Sequence, residues 1–220
     1  MYTECPHPNH PSLESLIARC HQLYDEDPAR APTILFIKEG VHKVVGQRSL
    51  NIRYPLKIVG AGRDKTIIQG GFWIGGTKEE GKNVGLKDMT VKGAKFRGLE
   101  GSSNSLSFLC TRMTFTQCRF RGVFARSTKG RLINCVTTQC AYSGIYCDEN
   151  ALIELEGSQT KVDGNVTSGY SDDYGLETYP TSSIIHLLFP LTKESVSTNN
   201  HGGRNYGGIN GNTIQTVDSF

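Results

Sequence analysis

No apolar run in this chain approaches the roughly 20 residues that a membrane-spanning helix requires, so no membrane partner is expected. The first residues, Met1-Tyr2-Thr3-Glu4-Cys5-Pro6-His7, show neither a basic leader nor an apolar stretch, which argues against a secretory signal. None of the 7 cysteines forms a C-x-x-C pair, so the usual zinc-finger and dithiol spacings are missing and no metal site or cofactor is expected. An odd set of small apolar thiols without a leader fits reduced, buried usage in an intracellular, cytoplasmic protein. Proline is scarce at 8 residues.

Glycine, by contrast, is plentiful at 25 residues, which suits many tight corners between short extended segments. The net charge of +3 hides a division. Residues 1–77 carry 9 basic and 7 acidic side chains, residues 78–131 carry 12 and 4, and residues 132–220 carry 3 and 10. A basic middle is therefore followed by an acidic C-terminal third.

Residues 12–27 are predicted to form a helix. Ser12 is a good N-cap, Glu14 suits the first turn, and Pro28 marks the stop. Ser15 stands where a capping box would place Glu or Gln, so no box is expected. Leu13, Leu16, Ile17, Cys20, Leu23 and Tyr24 share one face at helical spacing, a stripe suited to covering the open end of a stack of strands. No second helical pattern of any length follows, only short β-like runs from Thr33 onward.

A repeat organises the rest. Shifting residues 89–99 by 24 pairs Met89 with Met113, Ala94 with Cys118, Phe96 with Phe120 and Leu99 with Val123. A further 22 residues brings Cys135, Cys140, Tyr142 and Ile145 to the same places. Looser echoes stand at Tyr174-Gly175-Leu176 and Tyr206-Gly207-Gly208-Ile209. Periods of this length suit a solenoid coil of three short strands. Stacked coils predict interior ladders of Ala94, Cys118 and Cys140 and of Phe96, Phe120 and Tyr142, with Gly98, Gly122 and Gly144 relieving a strained corner. The expected fold is all-β, a right-handed parallel β-helix forming one domain over 1–220, with a capping helix at 12–27 and coils over 33–217.

The stretches Ile34-Leu35-Phe36-Ile37-Lys38-Glu39-Gly40 and Leu56-Lys57-Ile58-Val59-Gly60-Ala61-Gly62 resemble the opening coils of pectin-lyase-like parallel β-helix proteins, pectin methylesterases among them. The later coils resemble the parallel β-helix repeats of many eukaryotic and large-virus proteins. The resemblance implies a fold and leaves the activity open. The catalytic motifs of the methylesterases are missing. Asp172-Asp173 and Asn200-His201-Gly202 resemble fragments of polygalacturonase motifs, whose other motifs are absent.

Two functional readings follow. Lys95, Arg97, Arg119 and Arg121 flank the repeated aromatic, so with Phe96 and Phe120 inward all four should point outward as one positive patch. This favours a non-catalytic binding or scaffold module recognising an extended anionic partner, an acidic polysaccharide or protein. Nucleic acid is disfavoured, because no aromatics are expected to face outward for base stacking. The alternative is a polysaccharide hydrolase or lyase using Asp172, Asp173 and His201. A lyase could also hold Ca²⁺ with Asp163, Asp172, Asp173 and Glu177, with Lys161 or Arg204 as base. The glycine- and asparagine-rich loop 198–208 is expected to act as a polar lid, and the uncovered C-terminal end offers a homo-oligomer contact.

Overall fold

The computed structural model describes residues 1–168, 172–180, 182–208 and 213–218. Strands of two to five residues alternate with tight corners, because each coil crosses three faces before stacking on the last. The first sheet has nine strands, from Tyr2–Cys5 and Ile34–Ile37 through to Ile214–Val217. The second runs in seven strands from Gly40–Lys43 to Ser197–Thr198, and the third in seven from Ser49–Ile52 to Tyr206–Gly208. Neighbouring strands in all three sheets are parallel. The fold is a parallel β-helix. No helix of the described residues is long and apolar enough to cross a membrane.

Register turns the repeat into a core. On the first sheet Leu35, Ile58, Leu86, Cys110, Leu132, Leu155 and Leu187 are lateral neighbours in one line, and all are buried. On the third, Leu50, Phe72, Leu99, Val123, Ile145 and Leu176 form the matching line. Each such side chain contributes about 1.5–3 kcal/mol by leaving water, so the stack is held mainly by its inner lines.

The helix α1, Leu13–Glu26, buries Leu13, Leu16, Ile17 and Cys20 as expected. It does carry a capping box: Ser15 N–H donates to Ser12 Oγ at 3.1 Å and Ser12 N–H to Ser15 Oγ at 3.3 Å. A serine hydroxyl accepts this bond as a Glu carboxylate would, so the expected absence is corrected. Strand Tyr2–Cys5 precedes the helix and pairs with Ile34–Ile37, extending the first sheet before the coils proper begin.

Ala94, Cys118 and Cys140 form the predicted buried ladder. The aromatic ladder does not: Phe96 is 53% exposed and Phe120 36% exposed. Between Ala94 and Gly98 the corner carries three successive residues outside the core, so strand alternation fails there. Phe120 instead stacks on Tyr142 on the outside, ring centroids 4.3 Å apart. Gly98 and Gly122 are required by contact, not by strain. A Cβ at Gly98 would lie 2.7 Å from Gly122 O, and one at Gly122 2.6 Å from Gly144 O.

Further along the same edge the inner ladder turns polar. Cys140 N–H donates to Asn165 Oδ1 at 3.1 Å and Asn165 N–H to Asn200 Oδ1 at 2.9 Å. Asn200 is buried, so this part of the predicted lid is an interior brace. The last echo is offset, since Leu176 pairs with Tyr206; Ile209 lies outside the described residues.

Candidate functional site

Side chains on the outside of the third sheet also stand in register. Trp73, Glu100, Phe124, Tyr146 and Glu177 are successive lateral neighbours, one strand or about 4.8 Å apart. Beside them run Arg126, Asp148 and Tyr179. Phe124 and Tyr146 stack at 5.5 Å with their planes 9° apart.

Two of the predicted cations lie on these rings. The Arg97 guanidinium carbon sits 4.1 Å from the Phe124 centroid and that of Arg121 4.0 Å from the Tyr146 centroid. The negative ring face attracts each cation. Arg97 also pairs with Glu100 at 2.9 Å and Arg121 with Asp173 at 3.5 Å. Their side chains are 25% and 18% exposed, so both are set in place beneath a solvent-facing edge. Arg126 donates to Asp148 through Nε and Nη2 at 2.9 and 2.7 Å.

Lys95 and Arg119 do not join them. Both are exposed and line a separate hollow with Lys43, Gln47 and Gln69. The expected two-by-two patch is thus divided, because the aromatics that were to point inward occupy the outside of the corner between the two pairs.

At the C-terminal end of the row Ser143 Oγ contacts Asp173 Oδ1 at 3.0 Å and Glu177 Oε2 more closely still. All three residues are buried. One hydroxyl proton cannot serve two carboxylates. Asp173 faces Arg121 at 3.5 Å, and of the two carboxyls it is Glu177 that its surroundings push toward the protonated form. Burial is the main force pushing Glu177 up to about 7, with Asp173 adding to it and Ser143 and Arg121 opposing. Burial also pushes the Tyr146 hydroxyl up to about 12, helped by Asp148 and Glu177.

The acidic residues named from sequence are dispersed. Asp173 joins this cluster, while Asp172 is exposed. His201 is exposed on the short 3-10 turn His201–Gly203, tied to the coil by its N–H to Asn165 O at 3.0 Å. Asp163 accepts from Thr198 Oγ1 and Asn199 Nδ2, both at 2.8 Å, on the second sheet. Among the described residues no three His, Cys, Asp or Glu side chains gather as a metal-binding group. Ser143 escaped the sequence reading altogether, since it lies 30 and 34 residues from its partners. Its place just before the repeated Gly144 was the available signal.

No protein-family model matches the chain, and no curated protein is similar to it in sequence. Solved structures share its fold, two of them at 14% identity. The A-module of Azotobacter vinelandii mannuronan C-5 epimerase AlgE4 superposes with a TM-score of 0.59 at 14% identity, over 86% of this chain and 56% of that one. ORF18 of Geobacillus virus E2 gives 0.56 at 14% identity, over 83% and 39%. The chain has the parallel β-helix fold of these neighbours. At these identities the likeness is one of fold, and the chain spans only about half, or less, of the length of either neighbour.

Proposed function

We propose that the protein binds an extended polysaccharide along the outer face of the third sheet. The observation that carries this is the placement of Arg97 and Arg121 on stacked Phe124 and Tyr146, between the exposed rings of Trp73 and Tyr179. Trp73 and Tyr179 stand on strands four steps apart, about 19 Å at the usual strand spacing. Flat rings suit sugar faces, and pre-set guanidinium groups suit hydroxyl or carboxylate oxygens. The carboxylates Glu100, Asp148 and Asp173 offset the cations here, so a densely charged polyphosphate suits this face poorly. Phe96 and Phe120, both exposed, overturn the expectation that no aromatics face outward. The naming of one neighbour as a mannuronan epimerase lends support by analogy of fold.

Electrophoresis through gels containing a uronate polysaccharide, a neutral glucan or neither tests this. Retardation by a polysaccharide, lost in Trp73→Ala and in Arg97→Ala/Arg121→Ala, is the expected result. Unchanged mobility in every gel overturns the reading.

Catalysis is a second reading, favoured by one observation: buried Glu177 shares the Ser143 hydroxyl with Asp173 and its pKa is raised to about 7, the range suited to a general acid near neutral pH. New reducing ends or unsaturated products, lost in Glu177→Gln, would establish it. Binding without product leaves the first reading standing alone.

A further inference from the structure

The corner between the second and third sheets is uneven, and the unevenness opens a site. One coil spends residues 44–48 on it and another residues 93–98. The coil between them has only Gly70, joining Thr66–Gln69 directly to Gly71–Ile74. The outer corners meet across the shortened one, Lys95 N–H donating to Gln47 O at 2.9 Å. A notch of about 450 Å³ remains, bounded by Lys43, Gln47, Gln69, Lys95 and Arg119.

Beside Val44 and Gly46 the lining holds three cations and two amides, and no carboxylate. Arg97, Arg112, Arg121, Arg126 and Arg131 each have an acidic partner. Among the described residues Lys43, Lys95 and Arg119 have none, and the side-chain amides of Gln47 and Gln69 make no hydrogen bond. Arg119 is laterally adjacent to Lys95, its N–H donating to Ala94 O at 2.9 Å. Like charges this close repel unless an anion spreads between them.

We propose that this notch binds a tetrahedral oxyanion, a phosphate or sulfate group, either free or esterified to a sugar. Three cations and two amides from four successive coils line one space, which suits a group presenting oxygens in several directions better than a planar carboxylate. The long corners of the first and third coils border the notch, and the missing corner residues of the coil between them supply the room. The site shares no residue with the polysaccharide face, so each stands or falls separately.

Calorimetric titration with inorganic phosphate and inorganic sulfate, at matched ionic strength against chloride, tests the proposal. Saturable binding is expected for the native chain. Lys95→Ala/Arg119→Ala should weaken it at least tenfold, since a hydrogen bond to a charged group exceeds the free energy of one decade in affinity. Arg97→Ala/Arg121→Ala should leave it within about twofold, as a control for charge alone. Absence of saturable binding, or equal loss in both double variants, overturns the proposal. Thermal unfolding of each variant shows whether it is folded, and phosphate should raise the midpoint of the native chain but not of Lys95→Ala/Arg119→Ala. Competition by a sulfated oligosaccharide, and not by its desulfated counterpart, identifies an ester as a ligand. Failure of the sulfated oligosaccharide to displace bound phosphate identifies a site for the free ion.

Discussion

Arg121 lies over Tyr146, its guanidinium carbon 4.0 Å from the ring centroid, and Tyr146 is the lateral neighbour of Glu177. One ring thus supports a cation on its face and borders a carboxyl whose pKa burial raises. Tyr146→Leu keeps an apolar side chain but removes the ring face, and should destabilise the fold by about 1–2 kcal/mol. Tyr146→Phe keeps the face and should stay within about 0.5 kcal/mol of the native chain. Urea unfolding measures both. Equal losses would show that the ring face is not what supports Arg121.

Glu177 sets a pH dependence whose sign can be worked out. Its pKa rises from an ordinary 4.5 to about 7 in the folded chain. Between those values the folded state holds a proton that the unfolded state releases. Stability from this group is therefore complete below about 4.5 and declines as pH climbs to about 7. The shift corresponds to roughly 3 kcal/mol. Glu177→Gln, neutral throughout, should flatten that decline. A series of unfolding midpoints from pH 4 to 8 gives the comparison, and identical slopes in both proteins would refute the assignment.

The asparagine brace should matter more than its position near the end of the chain suggests. Asn200 accepts from Asn165 N–H at 2.9 Å and donates to Val162 O at 3.2 Å and Ser197 Oγ at 3.1 Å. Asn200→Ala strands these buried groups, each costing about 1–3 kcal/mol. We expect a loss of several kcal/mol and faster hydrogen exchange at the Asn165 amide. Exchange at the native rate would count against the brace.

Sequence periodicity revealed those parts of the fold that repeat at constant length. Met89, Met113 and Cys135, or Leu99, Val123 and Ile145, recur because each fills the same interior place. The aromatic of Lys95-Phe96-Arg97 recurs too, but recurrence says only that coils stack and not which way a side chain faces. Alternation supplied the direction, and alternation ends where the corner places three residues outside. Asn200 read as solvent-facing because it sits among glycines and polar residues, whereas its amide replaces backbone partners inside the coil. The cluster of Ser143, Asp173 and Glu177 forms only once coils of unequal length are in register, so no local pattern announces it. The division of the four cations has the same origin: the side on which each falls depends on the corner.

The cysteines allow a chemical check of the core. All seven are buried and free. Burial pushes the Cys135 thiol up to about 11 and raises Cys147 and Cys110 as well. Cys140 is raised by its hydrogen bond with Cys118 and by burial. At pH 8 a thiol with a pKa of about 11 is ionised to roughly one part in a thousand, and the thiolate is the reactive form. Steric enclosure lowers the rate further. A thiol reagent at pH 8 should therefore leave Cys110, Cys135, Cys140 and Cys147 unmodified over the time in which it labels them fully in denaturant. Mass mapping of the labelled peptides would show it. Rapid native labelling at Cys135 or Cys147 would mean that the inner lines of the coils open far more readily than their burial implies.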